Sequence, residues 1–127
     1  MRAMSRPEIT STVAVQALPE HTDPAQQRWA FAYTVSIRNT GTVAAQVVGR
    51  QWLITDHRGQ QQQVRGLGVV GKQPLLQPGE QFEYSSWTLL ATAQGTMQGT
   101  FYCITDAAEW FEASVPEFLL ADTSTLH

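Results

Sequence analysis

The 127-residue chain has little cysteine, little charge and no long apolar run. Its single cysteine, Cys103, excludes an intramolecular disulfide and is typical of a reducing compartment. The N-terminal letters MRAMSRPEITSTV contain no apolar core of signal-peptide length. No segment approaches the ~20 apolar residues of a membrane span. These absences predict a cytoplasmic protein with no membrane partner.

Charged residues make up 15% of the chain, and the net charge is -3. This balance predicts no broad attraction to nucleic acid. The three histidines, His21, His57 and His127, fall in a loop, a turn and the tail, with no pair at metal-ligand spacing. No nucleophile elbow or other catalytic signature is present. The sequence therefore predicts no metal site, no cofactor and no enzymatic activity.

Apolar and polar residues alternate along most of the chain, which indicates β-strands. The clearest case is WAFAYTVSI, where every second residue from Trp29 to Ile37 is large and apolar. Further strands are expected at 9–18, 45–55, 60–65, 82–89, 96–105 and 110–118, the last of them ended by Pro116. Seven or eight antiparallel strands separated by turns predict an all-β, immunoglobulin-like sandwich of two sheets. One domain, with an ordered core at about 9–120, is expected.

Three details of this prediction bear on the site. Val48, Trp52 and Ile54 are expected to face inward, and Arg50 falls on the same side of that strand. Asn39 and Gly41 are expected to supply the left-handed conformations of a tight turn. The aromatic residues are spread over five strands and are expected to fill the core, Trp110 among them. Trp87 is the exception, because it interrupts a polar run, and it is the candidate contact for a protein partner.

The longest irregular segment is RGLGVVGKQPLLQPGE, residues 65–80, which holds four of the nine glycines. Gly66, Gly68 and Gly71 match the letters of a dinucleotide-binding GxGxxG, but Lys-Gln-Pro follows where that motif needs a helix. Two interpretations stay open. The backbone N–H groups converge on an anion flanked by Arg65 and Lys72, or the glycines only allow a sharp crossing between sheets.

In type and order along the chain, the sequence motifs resemble those of the ApaG family. The similarity runs from Trp29 to Leu120. The motifs that carry it are Phe31-x-Tyr33-x-Val35-x-Ile37-x-Asn39-x-Gly41, Arg50-x-Trp52-x-Ile54-x-Asp56-x-x-Gly59, Gly66-x-Gly68-Val69-Val70-Gly71-x-Gln73-Pro74, Pro78-Gly79-Glu80-x-Phe82-x-Tyr84-x-Ser86, Gly95-x-Met97-x-Gly99, and Phe111 through Pro116-x-Phe118.

The resemblance implies a fibronectin type III-like sandwich in a bacterial cytoplasmic protein. ApaG genes lie beside that of a diadenosine tetraphosphate hydrolase, and the family's other name, CorD, is tied to cobalt and magnesium tolerance. Similar domains occur in eukaryotic F-box and DNA-polymerase-associated proteins, which favours a non-enzymatic module for protein–protein interaction. The family's glycine triplet, proposed to bind pyrophosphate, corresponds to Gly66, Gly68 and Gly71.

The implied alternatives are therefore binding of nucleotide or pyrophosphate anions at the Gly66–Gly71 loop, or a role in cobalt and magnesium homeostasis. The sequence departs from the family at three positions. Leu67 and Lys72 stand where acidic residues are frequent, which favours anions over metals in the loop. Trp87 stands where glycine is common.

Overall fold

The computed structural model describes residues 5–122 and is an all-β sandwich of two antiparallel sheets, which confirms the predicted fold class. Two single-turn 3-10 helices, Pro19–His21 and Pro24–Gln26, lie between the first two strands. The strands are β1 (Ile9–Ala17), β2 (Trp29–Asn39), β3 (Ala45–Asp56), β4 (Gln61–Leu67), β5 (Leu75–Leu76), β6 (Gln81–Leu90), β7 (Gly95–Thr105) and β8 (Trp110–Leu120). No helix within residues 5–122 is both long and apolar enough to cross a membrane.

The smaller sheet has the order β1-β2-β6, and the larger has the order β4-β3-β7-β8. The short strand β5 pairs with β3 at Ala45 and Gln46, beyond the end of the β3–β4 ladder. On one side of the sandwich β1 contacts β8. On the other side the edge strands β4 and β6 both line one cleft between the sheets, so this side is open.

The core is centred on Trp52, which is 1% exposed. Its indole meets three other rings edge to face: Tyr33, Phe101 and Phe118, at centroid distances of 5.9, 5.8 and 6.1 Å. Such geometry matches the positive edge of one ring to the negative face of another. Gly99 faces Trp52 across the β3–β7 ladder, and a Cβ there would collide with the indole. The absence of a side chain at Gly99 therefore leaves the space that the Trp52 indole occupies.

A β-bulge in β3 corrects one predicted core position. The β3–β7 register shifts between Val47, opposite Cys103, and Gly49, opposite Tyr102. The extra residue is Val48, which is half-buried, while Val47 is fully buried. The prediction that Val48 faces inward was wrong because a bulge reverses the alternation of the strand. Beyond it, Trp52 and Ile54 are buried as predicted.

Three other expectations need correction. Neither Asn39 nor Gly41 has a positive φ; Asn39 ends β2 and is 1% exposed. Pro116 does not end β8, because it lies on an edge strand where the β7–β8 register shifts, a position that tolerates a missing N–H. Trp110 is 65% exposed instead of buried. It begins β8 and alternates with Phe111, Ala113 and Val115, which are more buried.

Candidate functional site

The glycine-rich segment begins inside the sheet. Gly66 is part of β4 and lies opposite Arg50 in the ladder, while the exposed Arg65 lies opposite Gln51. The Gly68 N–H donates to the carbonyl of Val48 at 2.6 Å. Gly68 is buried, and its φ is +66°. Its backbone N–H is therefore already bound within the protein and is not available to a ligand.

Residues 69–72 form a tight two-residue turn. Val69 and Lys72 exchange both backbone hydrogen bonds, at 2.7 and 3.1 Å. The two residues between them, Val70 and Gly71, have φ of 51° and 77°, as in a type I′ turn. Val69 is fully buried and anchors the turn, whereas Val70 is 61% exposed. A left-handed conformation is strained for a β-branched residue such as Val70.

The residues of the predicted anion site, from Arg65 to Lys72, therefore do not all meet at one place in the structure. Within the described chain the Gly71 N–H has no acceptor, and Lys72 is exposed next to it. Arg65 lies elsewhere, lining a shallow depression with Leu67, Tyr102 and Trp110. Between Gly71 and residue 122 the chain forms no helix, as predicted.

Trp87 lies on an exposed apolar surface. It is 61% exposed and Leu89 is 40% exposed, both on the outer face of β6. Opposite them on β2 are Ala32 and Ala30. A depression of about 560 Å³ adjoins Trp87, and its lining includes Leu18, Ala32 and Leu89 together with His21 and Arg28. We call this the Trp87 surface.

Between the two sheets, on their open side, is a cleft of about 380 Å³ that the sequence does not single out as a site. We call it the Arg50 cleft. Its lining comes from both sheets: Tyr33, Arg50, Trp52, Ile54, Gln62, Val64, Val70, Tyr84, Ser86, Trp87, Thr88 and Leu89. The one signal in the sequence is Arg50, which falls on the same side of its strand as Trp52. Only the packing of the two sheets brings Tyr84 into the same cleft.

The Tyr84 hydroxyl and the Cys103 thiol both have raised pKa values, so both keep their protons at neutral pH. Burial raises the pKa of the Tyr84 hydroxyl, and so does the nearby Tyr33, while the charge of Arg50 and the indole N–H of Trp52 oppose the rise. Burial raises the pKa of the Cys103 thiol to about 12. At neutral pH neither group is a nucleophile. Within residues 5–122 no three His, Cys, Asp or Glu side chains are placed to share a metal ion, and His127 lies outside these residues.

Comparison with known proteins gives consistent results. Residues 19–105 match the ApaG domain family. The chain is 52% identical over 124 residues to Protein ApaG of Ralstonia nicotianae, covering 98% of this chain and 100% of the relative. It is 54% identical over 112 residues to Protein ApaG of Dechloromonas aromatica, covering 88% of each chain. A crystal structure described as an ApaA protein from Bordetella pertussis superposes with a TM-score of 0.89 at 50% identity, covering 94% of this chain and 97% of the other.

Proposed function

Because this chain belongs to the ApaG family, we propose that it is a non-enzymatic binding domain that holds a protein partner on the Trp87 surface. The observation that carries the proposal is the 61% exposure of Trp87 beside Leu89 on an edge strand. Exposed aromatic side chains grouped with other apolar residues are typical of protein interfaces, where tryptophan often contributes much of the binding energy.

The position of β6 suggests how a partner binds. As an edge strand, β6 has backbone N–H and C=O groups that no neighbouring strand of its own sheet covers. An extended segment of a partner can pair with such an edge while its side chains enter the adjoining depression. Arg28 and His21 line that depression, so an apolar residue flanked by an acidic one has the matching chemistry.

The chemistry of the buried groups supports binding over catalysis. The pKa values of the Tyr84 hydroxyl and the Cys103 thiol are both raised, which favours the neutral form of each group. A catalytic base or nucleophile needs the opposite shift, or a partner that takes its proton.

Trp87→Ser is expected to reduce capture of the partner from native cell extract by roughly tenfold or more, the usual effect of losing an interface tryptophan. Quantitative pull-down with the purified chain, followed by mass spectrometry, measures this. Trp110→Ser is the matched control, because Trp110 is equally exposed at 65% but lies on β8 of the other sheet. Equal losses in the two variants, or no loss in Trp87→Ser, would contradict the proposal.

Anion binding at the Gly66–Gly71 loop is the second candidate. It is favoured by the free N–H of the exposed Gly71 and by the adjacent Lys72 side chain, which forms no ion pair within residues 5–122. Successive exposed N–H groups in a turn can bind an oxyanion, and a flanking lysine adds charge. Because the Gly68 N–H is bound to Val48, this candidate depends on Gly71 and Lys72.

Titration with inorganic phosphate, followed by amide shifts in ¹H–¹⁵N spectra, tests the loop. We expect the Gly71 and Lys72 resonances to move with saturation at millimolar phosphate and to stay in place with chloride. Lys72→Gln should weaken the response by several-fold, since it removes one charge-assisted contact. The loop candidate fails if resonances 66–72 do not respond to phosphate.

A further inference from the structure

We infer that the Arg50 cleft binds a small organic anion, an oxyanion group carried on an apolar body, with the oxyanion held by Arg50, Trp52 and Tyr84. The three residues that would hold the oxyanion belong neither to the Trp87 surface nor to the turn at 69–72, although Trp87, Leu89 and Val70 also line the cleft. It is independent of the proposed protein partner, so either can fail without the other.

The first observation is a pair of buried polar atoms without partners. Nε1 of Trp52 and the hydroxyl oxygen of Tyr84 are both inaccessible to solvent, and neither completes a hydrogen bond, although the indole N–H is near enough to the hydroxyl to lower its pKa. The two residues are 1% and 7% exposed, and both line the cleft. Buried polar side-chain atoms nearly always have a partner, so a ligand that reaches these two gains hydrogen bonds that the protein itself does not complete. Since an indole N–H can only donate, the group that it would bind is an acceptor.

The second observation is the state of Arg50. Its Nη1 donates to the carbonyls of Gly68 at 2.9 Å and Leu67 at 3.3 Å. A guanidinium has five N–H donors, and the remaining ones have no acceptor within residues 5–122. No carboxylate pairs with this charge in the described chain. An arginine fixed at one nitrogen and free at the others is suited to a carboxylate or phosphate.

The walls define the rest of the ligand. Tyr33, Ile54, Val64 and Leu89 supply apolar surface, whereas Gln62, Ser86 and Thr88 supply polar groups. The volume of about 380 Å³ lies within the usual range for small-molecule sites, roughly 300–1,000 Å³. Bare inorganic phosphate would leave the apolar walls uncovered. An aromatic or aliphatic acid, or a phosphate monoester of similar size, would cover them.

The Arg50 cleft and the glycine-rich segment are in direct contact. Arg50 binds two carbonyls of that segment, and Val70 lines the cleft. A ligand on Arg50 therefore shifts resonances of the glycine segment as well, without touching Gly71. A decisive experiment must observe the bottom of the cleft directly, and the indole N–H of Trp52 provides that signal.

The experiment is a ¹H–¹⁵N titration of the full chain with benzoate, phenyl phosphate, inorganic phosphate and uncharged benzyl alcohol. The four tryptophans give four indole signals, and Trp52 is assigned by elimination from Trp29→Phe, Trp87→Phe and Trp110→Phe spectra. We expect saturable movement of the Trp52 signal with benzoate or phenyl phosphate, and little with benzyl alcohol. Whichever of the two anions binds more tightly identifies the oxyanion as carboxylate or phosphate.

Variants separate the cleft from other sites. Tyr84→Phe should fold normally, because its hydroxyl has no partner to lose, yet should weaken binding by about tenfold. Arg50→Met should weaken it further, and Arg50→Lys should restore part of the loss. Arg38→Met, which removes an exposed arginine on the outer face of β2, should leave the affinity unchanged.

Several outcomes would overturn the inference. One is a Trp52 indole signal that does not shift with either organic anion up to about 20 mM, far above the range of specific binding. Another is an equal response to benzyl alcohol, which would mark a purely apolar cavity. A third is full affinity in Tyr84→Phe together with full affinity in Arg50→Met. Movement of Gly71 and Lys72 alone, with inorganic phosphate, would place the anion at the loop instead.

Discussion

Gly68→Ala is expected to lower the free energy of unfolding by roughly 3 kcal/mol, whereas Gly71→Ala should lower it by only about 1 kcal/mol. Both glycines are in the left-handed region, at φ of +66° and +77°. Any L-residue therefore incurs a similar backbone cost at either position. The two sites differ in the space around the missing Cβ.

A Cβ on Gly68 would collide with the carbonyl group of Lys72, lying 3.0 Å from its carbon, and would come within 3.3 Å of the Gln73 side chain. The backbone cannot easily move away, because Gly68 is bonded to Val48 and the next residue, Val69, is fully buried. Around Gly71 there is no atom within 4 Å of the corresponding position. Only the conformational cost remains there.

Urea unfolding of the two variants beside the parent protein measures this difference. Equal losses would show that space is not limiting at Gly68. The result also affects how the anion candidate should be tested. A Gly68 substitution damages the fold before it reaches any ligand, so loss of binding in such a variant is uninformative. Lys72→Gln is the appropriate change.

Alternation of residue type was enough to predict the sandwich. Strands such as β2 bury Phe31, Tyr33, Val35 and Ile37 on one face, so period two in the sequence becomes one buried face in the structure. The prediction was wrong where a local irregularity interrupts the alternation of inward-facing and outward-facing residues along a strand. The bulge at Val48 has no marker in the sequence, and Pro116 predicts a strand end although its position on an edge strand tolerates it.

The candidate sites divide in the same way. Trp87 was singled out because an aromatic residue interrupts a polar run, a purely local signal. The Arg50 cleft could not be found like this, because Arg50 and Trp52 lie on β3 and Tyr84 lies on β6 of the other sheet. Their convergence follows from the packing of two sheets at their open side. The partnerless state of Trp52 Nε1 is likewise a property of the assembled core.

Asn39→Ala is expected to lower the free energy of unfolding by about 3 kcal/mol, because it leaves one buried and two part-buried backbone groups without partners. The Nδ2 of Asn39 donates to the carbonyls of Val43 at 2.9 Å and Leu76 at 2.8 Å. Its Oδ1 accepts from the N–H of Gly41 at 2.9 Å. Asn39 is 1% exposed, so water cannot replace these bonds.

The position of these bonds explains why their loss should be felt globally. Asn39 ends β2 in the smaller sheet, whereas Leu76 belongs to β5, which pairs with the larger sheet. One side chain thus ties the two sheets together and also fixes the turn after β2. Its backbone completes the link, since the N–H donates to Glu80 and the carbonyl accepts from Gly79. Removal of the amide leaves the turn and β5 without their shared anchor.

Denaturant unfolding of Asn39→Ala, Asn39→Asp and Thr10→Ala distinguishes this role from ordinary packing. Asn39→Asp keeps the size and the acceptor for Gly41 but places a carboxylate against two carbonyl oxygens, so it should be at least as damaging as alanine. Thr10→Ala removes an exposed hydrogen bond to Thr40 in the same turn and should cost only about 0.5 kcal/mol. An Asn39→Ala loss no larger than that of Thr10→Ala would refute the anchor. A full-sized loss with Asn39→Ala and near-parent stability with Asn39→Asp would assign the stability to the Gly41 contact alone, and the tie between the sheets would then be wrong.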